Sequence, residues 1–366
     1  MTNKKIYFFI GTTAEFIKLA PVIKELKRRK LPFKLITSGQ TRVRFEDLLA
    51  YTGPVHIDIA LDEKAQQSSI PLFLLWTIKT LFVGIFTLHK EFKNLDKKNC
   101  YFIVHGDTVS ALIGAIFGRV LGLQLVHVEA GLRSFNFFEP FPEEICKFVI
   151  NYLSQINFCP NEWSLNNLKN VPGKKVNTKQ NTLIEVHWWA INQKKGIKYM
   201  KKFNKYYILI IHRQEHVYFN KKWTRNMLKL VIENANKNLN CIFIMHALTS
   251  RFLESESLNI NSKLGKRLFL VPRLSYLEFM TLMNNAEFIA TDGCTNEEEA
   301  YYLGLPLLSL RNLTERVEGK GENNVISKGN KNIVINFLKN YKKYRRQAVL
   351  FDERPSNIIV EYLLNN

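Results

Sequence analysis

Residues 101–133 read YFIVHGDTVSALIGAIFGRVLGLQLVHVEAGLR, and this stretch decides the fold class. A continuous apolar run, Tyr101–Val104, is followed by a helical pattern over Ser110–Val120 and by a second apolar run, Gln124–Val128. Two short apolar runs separated by a helix indicate a β-α-β unit with parallel strands. Because helices cover both faces of a parallel sheet, its strands are expected to be apolar throughout, as these two are.

The same alternation continues through the rest of the chain. Further predicted strands are Ile6–Ile10, Phe33–Thr37, Ile156–Cys159, Tyr207–Ile211, Cys241–His246, Leu268–Val271, Phe288–Thr291 and Pro306–Leu308. Helical patterns between them include Phe16–Lys30, Glu143–Leu153, Thr224–Lys237 and Asn296–Leu303. A polar stretch at 170–181 interrupts this order and predicts an interdomain connection. We therefore predict an α/β fold with two Rossmann-like domains facing a central cleft, the first at 1–175 and the second from 176.

Charge and cysteine content limit the classes of partner. The 366-residue chain carries 52 Lys and Arg against 32 Asp and Glu, a formal net charge of +20. This excess predicts an anionic partner, although lysines spread over solvated surfaces would give the same sum. The sequence has no helix-turn-helix, zinc or RNP pattern, so nucleic acid is not an expected partner. The five cysteines form no CxxC pair, which predicts no metal site and no disulfide framework and favours a cytoplasmic protein.

The segment 70–88 is unusually apolar. It reads IPLFLLWTIKTLFVGIFTL, with Lys79 as its one charge, and Ser69 could cap it as a helix. A core helix, an interfacial helix and a transmembrane helix all fit this composition. If the helix faces outward, it is expected either to form a homodimer interface or to make peripheral contact with an anionic membrane. Four nearby lysines favour the membrane slightly: Lys90, Lys93, Lys97 and Lys98.

Polar and titratable residues follow several of the predicted strands directly. They are Gly11 with Lys18 on the next helix, Asp107, Glu129 with Arg133 and then Glu143, His212 with Arg213, and Gly293 with Glu299. The turn at Gly11 is expected to offer free backbone N–H groups to an anion at a helix N-terminus. Each position alone is explained by a helix cap or a turn. Together, at the carboxyl ends of parallel strands, they predict an active-site cleft suited to acid–base chemistry on a sugar.

Seven motifs in a fixed order carry a family resemblance. They are GTTAEFIKLAP, HGDT, HVEAGLRS, FPEE, NTLIE, HRQE and TDGCTNEEEAYYLGLPLLSLRNLTERVEG, running from residue 11 to about 320. This set resembles the non-hydrolysing UDP-N-acetylglucosamine 2-epimerase family. The resemblance implies the GT-B architecture, with the second domain at 176–345 and a C-terminal helix in 346–366 that returns to the first domain.

The resemblance also implies a reaction and a set of site residues. The catalytic positions matched are Asp107, Glu129, Glu143 and His212. The expected substrate-binding residues are Gly11, Lys18, Arg133, Arg213, His246, Gly293, Glu299 and Arg316, with Glu299 matching a carboxylate that holds the uridine ribose. The implied reaction removes the C2 proton of a UDP-sugar, expels UDP, and adds it back with inversion at C2. It needs neither a metal nor another cofactor, and the sequence leaves open which carboxylate is the base.

Departures from the family pattern concern mainly the residues that hold the nucleotide. They are Thr13 and Ala14 for Arg and Pro, Thr41 for His, Gly293-Cys294-Thr295 for Ser-Gly-Gly, and Cys146-Lys147 for Asn-Arg. These changes predict weaker phosphate binding, because close backbone approach favours glycine. The main hypothesis is an epimerase acting in surface polysaccharide synthesis. The alternatives are a membrane-associated GT-B glycosyltransferase with a lipid-linked acceptor and a non-catalytic paralogue.

Overall fold

The computed structural model describes residues 4–62, 70–193, 203, 205–256 and 265–366. The chain forms two compact units, one made of Met1–Val186 with Phe351–Asn366 and the other of His187–Leu350. The chain therefore leaves the first unit after residue 186 and comes back to it at residue 351.

The first unit contains a seven-stranded parallel sheet in the order β3-β2-β1-β4-β5-β6-β7. Its strands are β1 (Lys5–Ile10), β2 (Phe33–Thr37), β3 (Ile59–Ala60), β4 (Cys100–His105), β5 (Gln124–Val128), β6 (Ile156–Cys159) and β7 (Lys174–Asn177). The central strands β1, β4 and β5 are buried almost throughout, which explains their continuous apolar sequences. The predicted interdomain connection at 170–181 is wrong, because β7 lies inside that range and pairs with β6.

Helices cover both faces of this sheet. They are α1 (Thr13–Arg28), α2 (Leu49–Thr52), α3 (Ile70–Phe92), α4 (Val109–Val120), α5 (Glu143–Leu153) and α6 (Glu162–Asn167). Helix α7 (Leu183–Asn192) begins in the first unit and ends in the second. Thr12 and Glu15 form a capping box at the start of α1, and the Thr108 side chain caps α4. Buried residues of α3, α4 and α5 share one hydrophobic cluster with the sheet. These three helices therefore form one layer, with α4 in contact with both of the others.

Helix α3 is buried on one side only. Trp76, Thr80, Leu88 and Phe92 face the core. Seven large apolar side chains are exposed, namely Leu72, Leu74, Leu75, Ile78, Phe82, Val83 and Phe86. The helix is long and apolar enough to cross a membrane by length and composition, with a mean hydropathy of 1.8, and 22% of its most apolar stretch is buried. The core-helix interpretation is therefore wrong, and the predicted cap Ser69 lies outside the described residues.

The second unit contains a six-stranded parallel sheet in the order β10-β9-β8-β11-β12-β13. Its strands are β8 (Tyr206–Ile210), β9 (Asn240–Met245), β10 (Leu268–Pro272), β11 (Ile289–Thr291), β12 (Leu307–Ser309) and β13 (Asn324–Ile326). Its helices include α8 (Lys221–Asn234), α9 (Ala247–Ser255), α10 (Tyr276–Asn284), α11 (Cys294–Leu303) and α12 (Lys331–Asn340). The predicted class, two parallel-sheet α/β units, is confirmed.

The C-terminal helix α13 (Pro355–Asn365) belongs to the first unit, where it packs against α1. Ile359, Val360 and Leu363 bury its apolar side. At its N-terminal end, the Ser356 backbone N–H and hydroxyl donate to the two carboxylate oxygens of Glu185 at 2.8 and 2.9 Å. This buried carboxylate satisfies a donor that the first turn of a helix leaves without an intrahelical partner.

Candidate active site

Two carboxylates lie at neighbouring strand ends in the first unit. Asp107 comes two residues after β4, Glu129 comes directly after β5, and these strands pair with each other. Gly106 has φ +67°, and a Cβ added to it would lie 3.2 Å from Glu129 Oε2. Glycine at this position therefore lets the chain turn while the Glu129 carboxylate stays close to it.

The Glu129 carboxylate is held by buried partners from distant parts of the chain. Lys18 Nζ lies 2.6 Å from Glu129 Oε1, and both side chains are nearly fully buried. Asn181 Nδ2 donates to the same oxygen. His105 Nε2 lies 3.7 Å from Glu129 Oε2, and burial lowers the pKa of His105 to about 3, so this ring is neutral near pH 7. The cation and the amide together fix the position of a charged group that would otherwise be costly to bury.

Asp107 is paired with a buried cation from α5. Lys147 Nζ lies 2.9 Å from Asp107 Oδ2. Glu143 is the first residue of the same helix, where the helix dipole favours a negative charge. Burial, followed by the nearby charges of Asp107 and Glu143, raises the pKa of the Cys146 thiol to about 12. Both carboxylates therefore lie close to this thiol.

The N–H groups at the turn after β1 are already occupied. Gly11 and Thr12 donate their backbone N–H groups to Glu15 Oε2 at 2.5 and 2.9 Å, so the expectation that they are free for an anion is wrong. The Thr108 hydroxyl donates to the other oxygen of Glu15. A Cβ at residue 11 would lie 2.2 Å from Ser110 Cβ, so the turn needs glycine for packing. Burial raises the pKa of Glu15 to about 7.

Arg133 organises the segment that precedes α5. Its Nε donates to the buried carboxylate of Glu144. The guanidinium carbon lies 5.2 Å from the ring centre of Phe135 and 5.3 Å from that of Phe148. In this structure Arg133 is therefore engaged by a carboxylate and two aromatic rings of its own unit.

Asp292 is the centre of the polar cluster in the second unit. Its fully buried carboxylate accepts from the backbone N–H of His212 at 3.0 Å and of Arg213 at 2.9 Å. The Nδ1 atoms of His212 and His216 each lie 3.0 Å from one of its oxygens. Burial alone would raise the pKa of Asp292, but the two histidines hold it well below its usual range. The carboxylate lies on the Nδ1 side of the His212 ring, so Nε2 is the nitrogen left for proton transfer.

The His212 ring lies between a second histidine and a glycine. It stacks on His246 with ring centres 5.1 Å apart. Burial lowers the pKa of His246 to about 3, and the His212 charge acts in the same direction. A Cβ added to Gly293 would lie 2.8 Å from His212 Cε1, so glycine at 293 makes room for the ring at the start of α11.

Two guanidinium groups meet at the N-terminus of α11. Arg213 Nη2 donates to Cys294 Sγ at 2.7 Å, and Arg311 Nη1 contacts the same sulfur. Arg311 is fully buried, with Glu315 at 3.2 Å as its acidic neighbour. Arg213 also has an acidic neighbour, Glu215 Oε1 at 3.3 Å, so both cations beside this helix N-terminus are paired with carboxylates of their own unit. A guanidinium group beside a helix N-terminus is nevertheless an arrangement that suits an anion such as a diphosphate.

The acidic turns of α11 are buried and paired. Arg316 Nη1 lies 3.1 Å from Glu298 Oε2. Asn296 Nδ2 donates to Glu299 Oε2 at 3.0 Å, and Glu299 is 2% exposed. These carboxylates are therefore buried and bound to partners, unlike the solvated acidic residues that are common in the first turn of a helix.

The structure therefore gathers the predicted residues into two clusters, one in each unit. The first contains Asp107, Glu129, Glu143, Lys18 and Gly11, with Arg133 before α5. The second contains His212, Arg213, His246 and Gly293, with Glu299 and Arg316 along and beside α11. That the two clusters share one cleft stays a prediction. Within the described residues, no group of three or more His, Cys, Asp or Glu side chains is arranged to hold a metal ion.

The sequence of this chain matches a family model over most of its length. A family model described as UDP-N-acetylglucosamine 2-epimerase matches residues 25–363. The chain belongs to that family. A UDP-N-acetylglucosamine 2-epimerase homolog of Methanococcus maripaludis is 32% identical, with 99% of each chain covered. The UDP-N-acetylglucosamine 2-epimerase of Methanocaldococcus jannaschii is 29% identical over 86% of this chain and 85% of that protein.

Solved structures of the family agree with this assignment. The M. jannaschii UDP-GlcNAc 2-epimerase in complex with UDP-GlcNAc and UDP has a TM-score of 0.83 at 25% identity, with 99% of each chain covered. The Neisseria meningitidis UDP-GlcNAc 2-epimerase bound to UDP-GlcNAc has a TM-score of 0.80 at 26% identity, covering 99% of this chain and 100% of that one. These relatives support the epimerase interpretation over the glycosyltransferase alternative, and their GT-B fold is the predicted one.

The sequence analysis missed several residues of these clusters. They are Glu15, Lys147, Asn181, His216 and Asp292. Asp292 belongs to the motif TDGCT and directly follows a strand, and Asn181 begins the motif NTLIE just before a helix. These positions could have indicated that both are site residues. Nothing in the sequence indicated that Lys147 pairs with Asp107.

Proposed function

We propose that this protein is a UDP-N-acetylglucosamine 2-epimerase that inverts C2 of its UDP-sugar for surface polysaccharide synthesis. The observation that carries the proposal is the first cluster, in which Asp107 and Glu129 lie at adjacent strand ends and each has its own buried lysine. Membership of the epimerase family supplies the substrate class. A cytoplasmic location, expected from the sequence, fits this function.

The reaction requires proton removal and proton return on opposite faces of C2. One carboxylate among Asp107, Glu129 and Glu143 takes the C2 proton, and the electrons of the C2–H bond form the C1=C2 double bond. The C1–O bond to UDP breaks in the same stage, which gives 2-acetamidoglucal and UDP. A UDP oxygen then re-forms the bond to C1 while a second acid delivers a proton to the other face of C2. Carboxylates beside an oxocarbenium-like transition state also stabilise its positive charge.

The second cluster suits the departing diphosphate. Arg213 lies at the start of α11 with its side chain partly exposed, and a guanidinium group binds phosphate oxygens in a bidentate manner. In this proposal Arg213 replaces part of the contacts that a Ser-Gly-Gly turn gives in the family, while the fully buried Arg311 contacts the Cys294 sulfur behind it. In this proposal His212, whose Nδ1 lies beside Asp292, passes a proton to or from the leaving group.

Incubation with UDP-N-acetylglucosamine in deuterated water tests the proposal. Because the C2 proton exchanges with solvent in the intermediate, we expect deuterium at C2 and a mixture of the two C2 epimers, without added metal or acceptor. Proton NMR of the anomeric region and mass spectrometry measure both. UDP binding without exchange would identify a non-catalytic paralogue and overturn the proposal.

We also infer that the protein forms a homodimer through α3 and α5. The two helices flank α4, and exposed apolar residues continue from α3 to α5 and the segment before it, namely Phe137, Phe138, Phe141, Ile145, Phe148 and Tyr152. All of α5 is described, and its exposed side chains include no lysine or arginine. A surface rich in aromatic residues and poor in charge is typical of the core of a protein interface, whereas binding to anionic lipid requires basic residues around the apolar face. The uncharged exposed side of α5 therefore supports a second copy of the chain, whereas Lys79 and Lys90, both exposed on α3, are the observation that supports the membrane.

A further inference from the structure

His127 is a fully buried histidine that the proposed reaction does not use. It lies in β5, two residues before Glu129. Its Nδ1 is 2.9 Å from Asn151 Oδ1, and its Nε2 is 2.8 Å from the carbonyl oxygen of Gly106. Gly106 directly precedes Asp107, so this ring reaches from one strand end to the backbone of the next.

The protonation of the ring follows from its surroundings. Burial lowers the pKa of His127, so the ring is neutral near pH 7 and carries one N–H. One N–H can serve only one of two oxygen acceptors. Asn151 Nδ2 has no partner among the described residues, and the two ends of an amide have nearly the same shape. With that amide reversed, Asn151 Nδ2 donates to Nδ1 of the ring, and Nε2–H donates to the Gly106 carbonyl.

The Gly106 carbonyl determines how the turn between β4 and Asp107 is oriented. Gly106 N–H already donates to the Val128 carbonyl at 3.0 Å, which fixes the peptide on its N-terminal side. Its carbonyl shares a rigid plane with the N–H of Asp107. Because glycine at φ +67° can take up many other ψ values, an acceptor contact on this carbonyl decides how the next residue is presented.

We propose that His127 is a positioning residue, whose Nε2–H holds the Gly106 carbonyl and thereby fixes the place of the Asp107 carboxylate. The proposal rests on the proposed function in one respect, since its kinetic consequence assumes that Asp107 takes part in the reaction. Its structural content, a hydrogen bond from Nε2–H to a named carbonyl, is independent of the substrate.

Two amide substitutions separate positioning from simple core packing. The Nε2 of glutamine can occupy the place of the histidine Nε2, whereas the asparagine amide reproduces only the Nδ1 side and is too short to reach Gly106. We expect His127→Gln to keep kcat within about threefold of the wild type. We expect His127→Asn to lower kcat about 10–100-fold with KM little changed, because misplacing a reacting group by about 1 Å has this effect. Val126→Ala on the same strand, which destabilises the core without contacting Gly106, should leave kcat unchanged.

Two measurements decide the proposal. The first is C2 deuterium exchange by the wild type and the three variants, with melting temperatures recorded for each. Equal kcat values for the Gln and Asn variants, or a loss of kcat in Val126→Ala that follows its melting temperature, would overturn the positioning role. The second is a long-range proton–nitrogen NMR spectrum of the wild type, in which we expect the proton of His127 on Nε2. A ring protonated on Nδ1 alone would refute the hydrogen bond, even if the wild type showed no exchange and the proposed function itself failed.

Discussion

At the scale of single residues, charge pairs between distant segments dominate the candidate site. Glu129 has φ +70°, which few non-glycine residues adopt, and it is held there by Lys18, a residue 111 positions earlier in the chain. Site residues that directly follow a strand could be predicted from local sequence, because the end of an apolar run is easily recognised. The charge pairs could not be predicted, because local sequence does not specify a partner more than a hundred residues away. Lys147 shows the same limit. In the sequence it is only a lysine at a position where the family has arginine, whereas in the structure it is the partner of Asp107.

The buried pair of Lys18 and Glu129 gives the first prediction. Glu129→Gln should abolish C2 exchange, and it should also lower the free energy of unfolding by about 3 kcal/mol because Lys18 is left as an uncompensated buried charge. The double variant Lys18→Met/Glu129→Gln should recover most of the stability and none of the activity. Urea unfolding and the exchange assay measure the two effects. A double variant no more stable than the single one would contradict the pairing.

Glu15 gives a prediction about pH. Its pKa rises from 4.5 in the unfolded chain to about 7 in the folded protein, because burial disfavours the charged form. The folded state therefore binds this proton more tightly, and the contribution of Glu15 to stability is lost as pH rises from about 4.5 to about 7, by at most about 3 kcal/mol. Glu15→Gln keeps an acceptor for the N–H groups of Gly11 and Thr12 but does not titrate. The stability of this variant relative to the wild type should increase between about pH 5 and about pH 8 in urea unfolding, and a difference independent of pH would refute the assignment.

At the scale of elements, burial decides which strands can be recognised in sequence. The central strands of both sheets are buried on both faces and appear as continuous apolar runs. Three strands were missed, namely β3, β7 and β13. Each lies at the edge of its sheet, and β7 reads KKVN with no fully buried residue. An edge strand has hydrogen-bonded neighbours on one side only and needs no apolar run, so local sequence carries little sign of it.

The N-terminal end of α13 gives a prediction at this scale. Ser356→Ala removes the hydroxyl that donates to Glu185 Oε2, so one oxygen of this buried carboxylate loses a hydrogen-bond donor. A hydrogen bond to such a group contributes about 1.5–3 kcal/mol, so urea unfolding should show a loss of that size. Asn365→Ala, an exposed substitution at the other end of the same helix, is the control and should change stability little. Equal effects of the two substitutions would show that the Glu185 contact does not anchor the helix.

At the scale of the whole molecule, the exposed apolar side chains of α3 and α5 are the feature that one chain alone leaves unexplained. Phe82 and Phe86 are 66% and 69% exposed, which is costly for large rings unless something covers them. Sequence analysis found the apolar segment but could not tell how much of it faces outward, because that depends on which side packs against α4.

The homodimer is tested by sedimentation. The wild type should sediment as a dimer, and Phe82→Ser with Phe86→Ser should weaken the dimer at least about tenfold, because burial of two large rings is lost. Leu270→Ser, at an apolar site of the second unit that is 50% exposed, should leave the dimer intact. A monomeric wild type that pellets with anionic vesicles at low salt would show that the surface binds a membrane instead.

The return of residues 351–366 to the first unit also orders events during synthesis of the chain. A ribosome releases the N-terminal part first, and domains made of one continuous stretch usually fold in that order. Here the face of α1 that α13 covers stays open until residues 355–365 have emerged, whereas the second unit, wholly contained in His187–Leu350, has by then been synthesised in full. The unit that begins the nascent chain is therefore the one that finishes folding last.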